Sequence, residues 1–377
     1  MACAIVAALF IAAVISLLIR INNAPLAPSF PIHLIAVPPA GRDLGGGLEG
    51  FGSPYLGHNG SWDGKGGAIW GGSKIADMDR ECAMGLRWTF MPVYWRSMEP
   101  DGPVNLKAGE PPAWKELDAF VIAAHARKLN ILFQAPVIGG NAGGPPAWAG
   151  RRENGKSAPL NMEALADFAG KLAIRYCPGG TLAQSQGWGG GYGVRAWELD
   201  NEPESYRTHW QGQAADYAEF ATRATERIKA VDPISVIAGP ALASGRDGLK
   251  WLESALDPTA MAGSPAFRAR GMPYSIGPAL DVVSFHLYEG LDSAFAAHSR
   301  PIESVLNDLN SIFEKWQHSV PGFSRRPEYW QTEGDYDFFG LLSAGRCAAW
   351  RVQFCTRAFA AGVRKVCRHP CRRSSRG

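Results

Sequence analysis

The stretch AWKELDAFVIAAHARKLNILFQAPVI, residues 113–138, decides the fold. Over 113–129 apolar residues recur every three or four positions, the period of a helix with one buried face. At Asn130 the period breaks. Residues 130–138 form a near-continuous apolar run, as in a strand covered on both faces. A helix that feeds such a strand directly is one unit of a parallel sheet.

The unit recurs in both directions. Strands are expected at 86–95, 194–199, 234–240, 281–288 and 328–333. Helices are expected at 161–177, opened by Asn161 as an N-cap, and at 214–232, 302–317 and 344–362. VRKV (363–366) begins an eighth strand. About seven strand–helix repeats, with no change in composition and no internal repeat, suit one closed α/β structure, a (β/α)8 TIM barrel, better than an open sheet. A length of 377 residues and 46% hydrophobic content allow it a large core. Gly45-x-Gly47-x-x-Gly50 matches a dinucleotide turn in letters only, because no strand leads in and no helix leads out.

Charge removes one class of partner. The net charge is +3, but residues 364–377 hold six cations and no acid. The rest of the chain is net acidic and has no basic stripe for nucleic acid. The seven cysteines include no C-x-x-C pair, so neither zinc nor a disulfide framework is expected. Cys82, Cys177, Cys347 and Cys355 read as buried thiols on helices. Residues 2–19 carry no charge and precede Arg20, the pattern of an export signal or a signal anchor tethered in a membrane. The expected organisation is a signal or anchor at 1–21, a linker at 22–44, the barrel at 45–366 and an atypical basic tail at 367–377.

In such a barrel the loops that follow strands line the active face. GGNAGGPPAWAGRRENGKSAPL (139–160) is one, and its Trp148 is a candidate platform for a flat ligand. The Gly-rich 178–193 follows a helix and belongs to the far face. Two strands end in acids on the active face. RAWELDNEPES (195–205) ends the fourth, and EYWQTEGDYD (328–337) ends the seventh. Buried acids are costly unless paired or used. Two carboxyls brought together from different strands are what glycoside hydrolysis needs.

At these residues the chain resembles the retaining glycoside hydrolases of clan A, closest in style to families 39 and 5, with their β-xylosidases, β-glucosidases and endo-β-glucanases. The likeness runs from about Gly50 to Val366 and includes MGLRWTFMPVYWRSMEPDGP (84–103), PPAWA (145–149), GLKWLES (248–254) and DVVSFHLY (281–288). It implies Glu202 of Asn-Glu-Pro as acid/base and Glu333 as nucleophile. Asn201 would hold the substrate 2-hydroxyl. His286 and Tyr288 would line the site, with Tyr288 donating to Glu333. Trp95, Trp148, His58 and Trp210 are candidate sugar contacts, with His209 beside Trp210. The partner would be a carbohydrate, cleaved by double displacement without metal or organic cofactor.

Other polar residues carry plainer expectations. Glu198 turns inward or pairs with Arg195, and Asp200 supports the turn. Glu204, Glu289, Asp335 and Asp337 read as solvated. Asp77 and Asp79 lie on an amphipathic helix, and His125 and His318 on exposed helix faces.

Two departures stand out. Many clan members carry an arginine on strand two near the nucleophile. Here Phe90 aligns with it and Arg87 lies three residues earlier, so either the register shifts or Tyr288 holds the nucleophile without it. After VRKV, CRHPCRRSSRG (367–377) suits neither strand nor helix and has no aromatic, so the barrel is expected to be incomplete at strand and helix eight. The alternative function is therefore a catalytically impaired, carbohydrate-binding barrel. A serine hydrolase lacks its G-x-S-x-G. The residues do not choose among β-xylosidic, β-glucosidic and β-mannosidic bonds. Long loops after strands three and five (241–280) lean toward a pocket and exo action.

Overall fold

A computed structural model describes residues 16, 53–58, 71–107, 109–138, 144–151, 158–205, 213–243, 246–257, 275–288, 301–320, 323, 326–334 and 343–368. The expected signal or anchor, apart from Ser16, and the linker lie outside them. Among the described residues no helix is long and apolar enough to cross a membrane.

Eight parallel strands close into a barrel in sequence order. They are β1 (Ser53–His58), β2 (Leu86–Tyr94), β3 (Asn130–Val137), β4 (Ala196–Glu198), β5 (Val236–Ala243), β6 (Val282–His286), β7 (Glu328–Glu333) and β8 (Val363–Arg368). The helices between them are α1 (Gly71–Ala83), the short α2 (Trp95–Met98), α3 (Pro112–Ala126), α4 (Met162–Tyr176), the short α5 (Thr181–Ser185), α6 (Ala214–Val231), α7 (Arg246–Leu256), the short α8 (Ile276–Ala279), α9 (Ile302–Trp316) and α10 (Ala344–Ala360).

Local chemistry sets the helix starts. Pro112 opens α3, where its fixed φ helps and its missing N–H costs nothing. Asn161 caps α4 by accepting from the Ala164 N–H at 3.0 Å. Ser343 does the same for α10, accepting from Arg346.

The expected eighth strand forms and goes further than VRKV. Cys367 and Arg368, placed in the tail by sequence, continue β8 and pair with Gly57 and His58 of β1, closing the ring. Cys367 is buried. Among the described residues no helix follows β8. Two other expectations are corrected. Cys82 is exposed, near the end of α1. His125 is half-buried, its ring 4.1 Å from that of Trp188 and 4.6 Å from that of Tyr192. Cys82 and Cys177 are free thiols.

The pleat separates two cores. Outward positions such as Phe133, Trp197, Val283, Phe285 and Tyr329 pack beneath the helices. Inward positions Trp88, Phe90, Leu132, Ala196, Val236, Ala238, Val282 and Trp330 fill the barrel. That inward parity carries Gln134, Glu198, Ser284 and His286 toward the active face; at the end of β7 a register shift against β6, which pairs His286 with Glu333, takes over from it.

Candidate active site

On β4 the inward parity passes from Ala196 to Glu198, which is fully buried. Its register partner on β3 is Gln134, whose Nε2 donates to Glu198 Oε2 at 2.9 Å and to Asn201 Oδ1 at 2.8 Å. Gln134 thus fixes which end of the Asn201 amide is the acceptor. Arg195 pairs with Asp232 instead of Glu198. Burial pushes the Glu198 carboxyl up, against the pull of His286, Thr332, Ser284 and Gln134.

Past Glu198 the chain makes a strained turn. Asp200 and Glu202 have φ of 61° and 42°, a region that residues with a Cβ seldom enter. The turn is pinned from both sides. Ile138 N–H donates to Asp200 Oδ1 at 3.2 Å, and Glu202 N–H donates to Ala241 O at 3.1 Å. Tyr217 from α6 donates to Leu199 O at 2.8 Å. The result brings the Glu202 side chain to His286.

His286 ends β6, almost wholly buried. Its Nδ1 lies 2.8 Å from Glu202 Oε1 and 3.9 Å from Glu333 Oε2. Burial alone would lower its pKa. The charges of Glu333, Glu202 and Glu198 outweigh burial and raise it to about 9. Tyr288, two residues on, donates a hydrogen bond to Glu333 Oε1. The Glu333 carbonyl accepts from Leu287 N–H at 3.0 Å and from Gln331 Nε2 at 2.6 Å, which holds the end of β7 against β6. Two partly exposed carboxylates, Glu202 and Glu333, thus flank one buried imidazole.

The structure places the remaining candidates unevenly. Trp95 is corrected. It is wholly buried, donates to Glu99 Oε2 at 3.0 Å and stacks on Phe168 at 6.1 Å, so no sugar can reach its face. Trp148 is half-buried, set edge-on to Trp95 at 5.3 Å, and its indole N–H donates to Glu99 O at 2.7 Å. His58 is the last residue of β1, pairing with Thr89 and Arg368. Trp210, His209, Glu289, Asp335 and Asp337 lie outside the described residues. Glu204, expected in solvent, has both carboxylate oxygens buried.

Sequence reasoning missed Gln134 and Tyr94. Gln134 was signalled by a lone amide inside an apolar strand. Tyr94 shares the inward parity of Trp88 and Phe90, whereas Trp95 is one step out of phase. Burial, and then the nearby charge of Glu333, raises the Tyr94 phenol to about 12. Neither Phe90 nor Arg87 takes the place of the strand-two arginine. Phe90 lies deeper, in the apolar interior, and Arg87 points to Lys128 O at the far end. Among the described residues no cluster suits a metal ion.

No family model and no curated protein matches the chain. Solved structures do. A glucosidase from Croceicoccus marinus superposes with a TM-score of 0.51 at 18% identity, covering 78% of this chain and 55% of its own. The exo-beta-1,4-mannosidase Op5Man5 from Opitutaceae bacterium strain TAV5 gives 0.52 at 15%, covering 83% and 51%. A family 39 glycoside hydrolase from Bacteroides cellulosilyticus WH2 gives 0.51 at 15%, covering 84% and 56%. The chain has the barrel fold of these glycoside hydrolases. It spans about half the length of each.

Proposed function

We propose that the chain is a retaining glycosidase of clan A that cleaves O-glycosidic bonds, β-linked by this reading, in oligo- or polysaccharides. The observation that carries this is the imidazole of His286 between two strand-ending carboxylates. Its contacts of 2.8 and 3.9 Å keep the facing oxygens of Glu202 and Glu333 within about 7 Å. Direct attack on the anomeric carbon requires carboxyls about 5–5.5 Å apart, a spacing that falls within that bound.

In the first step Glu333 attacks the anomeric carbon. The glycosidic C–O bond breaks, and the leaving oxygen takes the proton of Glu202. The product is a glycosyl ester on Glu333. In the second step the Glu202 carboxylate takes a proton from water, and the resulting nucleophile displaces Glu333. The sugar leaves with its configuration retained, and Glu202 is protonated again. Tyr288 orients the attacking carboxylate. His286, in hydrogen-bond contact with Glu202, orients that carboxyl, and its charge offsets the repulsion between Glu202 and Glu333 whenever both are ionised. Asn201, oriented by Gln134, stands beside Glu202 to meet the 2-hydroxyl.

The test is intact mass after incubation of the protein, from residue 24 onward, with activated 2-fluoro glycosides of several sugars, followed by peptide mapping. Such probes form the ester but hydrolyse slowly. An adduct on Glu333 is expected, and the sugar that reacts names the specificity. An adduct on a different acid would overturn the assignment. Folded protein that binds sugar but takes no label would favour the impaired binding barrel. The same reading puts the protein outside the cytoplasm, exported or held by residues 2–19, so the full chain is expected in the membrane or exported fraction of an expressing cell.

A further inference from the structure

Two residues beyond the acid/base stands a carboxyl group that the two-step reaction does not use. Both oxygens of Glu204 are buried, and what eases the burial of its charge is its own backbone N–H, the backbone at Ala243 and His286. Such a group is costly to take from water, so the fold must hold it in place for a reason.

The surroundings show what it is held against. Gly248 lies in the first turn of α7. A Cβ at that position would stand 3.1 Å from Glu204 Oε1 and 2.5 Å from Ala243 O. Only a glycine lets the carboxyl and the end of β5 approach the helix start this closely. The contact closes a loop of constraints around Glu202. Ser205 N–H donates to Glu202 O at 2.9 Å, and Glu202 N–H donates to Ala241 O. Ala241, itself at φ 55°, donates its N–H to Ser284 Oγ at 2.9 Å. Among the described residues, Glu204 is the side chain of this turn that lies against the start of α7.

We propose that Glu204 is a positioning residue for the acid/base, docking the turn of residues 200–204 onto the start of α7 so that Glu202 keeps its left-handed backbone and its contact with His286. The proposal rests on the glycosidase reading and adds to it. The ionisable groups that bear on Glu204 are Glu202 in its own turn, His286 on β6 and Tyr217 on α6. Burial first, and then the charge of Glu202, push the Glu204 carboxyl well above the usual range, which favours its neutral form and a role in packing instead of charge pairing.

The test uses Glu204→Gln and Glu204→Ala in the full chain, with two readouts. The first needs no turnover. It is the proton resonance of His286 Nδ1 in protein labelled at histidine with nitrogen-15, which reports the 2.8 Å contact with Glu202. The second is kcat/KM on aryl glycosides with poor and with good leaving groups. Glu204→Gln, nearly isosteric, is expected to keep the resonance and to lie within about threefold of wild type on both substrates. Glu204→Ala is expected to shift or lose the resonance. Its rate on poor leaving groups should fall about tenfold or more, with less than about threefold loss on a dinitrophenyl glycoside, which needs no acid. If Glu204→Ala does not fold, Glu204→Asp withdraws the carboxyl by one methylene and serves the same comparison. An unchanged resonance in a folded Ala or Asp variant overturns the proposal, as do equal losses on both substrates. Labelling of wild-type Glu333 tests the glycosidase reading separately, so the two ideas fail by different results.

Discussion

The two ends of the barrel interior are built from the same strands with the same parity, yet they differ in kind. At the far end the inward side chains are Trp88, Phe90, Leu132, Ala196, Val236, Ala238, Val282 and Trp330. One cation, Lys365 on β8, lies there with its ammonium 4.4 Å from the Trp88 ring and 5.1 Å from the Trp330 ring. One pleat step higher, Leu132 gives way to Gln134, Ala196 to Glu198, Val282 to Ser284 and Trp330 to Thr332, and all four of these are buried. A further step brings His286. The lower layer stabilises by burial. The upper layer is polar, internally hydrogen-bonded and set under two carboxylates. The same inward position therefore means packing or chemistry depending only on its distance from the strand end.

The largest effects are expected in the upper layer. If Glu333 is the attacking group, Glu333→Gln is expected to lower kcat/KM by about 10⁴-fold or more, with little change in unfolding midpoint, because the side chain is partly exposed. Glu202→Gln should lose about 10²–10⁴-fold on substrates with poor leaving groups and much less on activated ones. Steady-state kinetics beside a urea titration checks both. A large stability loss without a rate loss in the folded fraction would move either residue into the structural class.

Much of this layout was legible beforehand. The closed order of the strands, one of the two readings of Glu198 and the acids at the ends of strands four and seven follow from periodicity and from where acids interrupt apolar runs. Three things were not. Trp95 drew attention as a large aromatic at a strand end, but its neighbour Tyr94 has the inward parity. Glu204 read as solvated because nothing local shows that Gly248, remote in sequence, leaves room to cover it. Cys367 and Arg368 read as tail because the charge of the segment concealed strand pairing supplied by β1. For Glu204 and for Cys367 and Arg368 the deciding partner is distant in sequence, whereas for Trp95 the parity of β2 itself decides.

At the far end the expectation reverses. Trp330→Ala, three residues before Glu333, should cost about 3–5 kcal/mol of stability, since it empties a large, wholly buried site. The protein that remains folded should still label on Glu333 at close to the wild-type rate. Denaturant unfolding and the labelling rate separate the two effects. Loss of labelling in folded protein would mean that the two layers are mechanically one.

His286 links stability to pH. Its folded pKa of about 9 exceeds the ordinary 6.5. The stabilisation it contributes is fully present below about pH 6.5 and is lost as pH rises through about 9. The total is on the order of 3 kcal/mol. Glu198 and Glu204, also raised, lose their contributions in the same direction but from a lower starting pH. The difference in urea midpoint between wild type and His286→Gln, followed from pH 6 to 9.5, isolates the histidine. The two curves should converge as pH rises, and parallel curves would show that His286 gains no proton on folding.

The smallest expected effect falls on Tyr94, where the two layers meet. Its ring continues the inward row of Trp88 and Phe90, while its hydroxyl feels the charge of Glu333. Tyr94→Phe keeps the packing and removes only the hydroxyl. If that hydroxyl helps orient Glu333, kcat should fall about three- to tenfold with KM little changed, worth about 1 kcal/mol, the size of one hydrogen bond. If the ring alone matters, Tyr94→Phe will be silent and Tyr94→Ala will lower stability. Comparing the two variants by kcat and by urea midpoint then places the boundary between the packed layer and the chemical one, either below Tyr94 or at its hydroxyl.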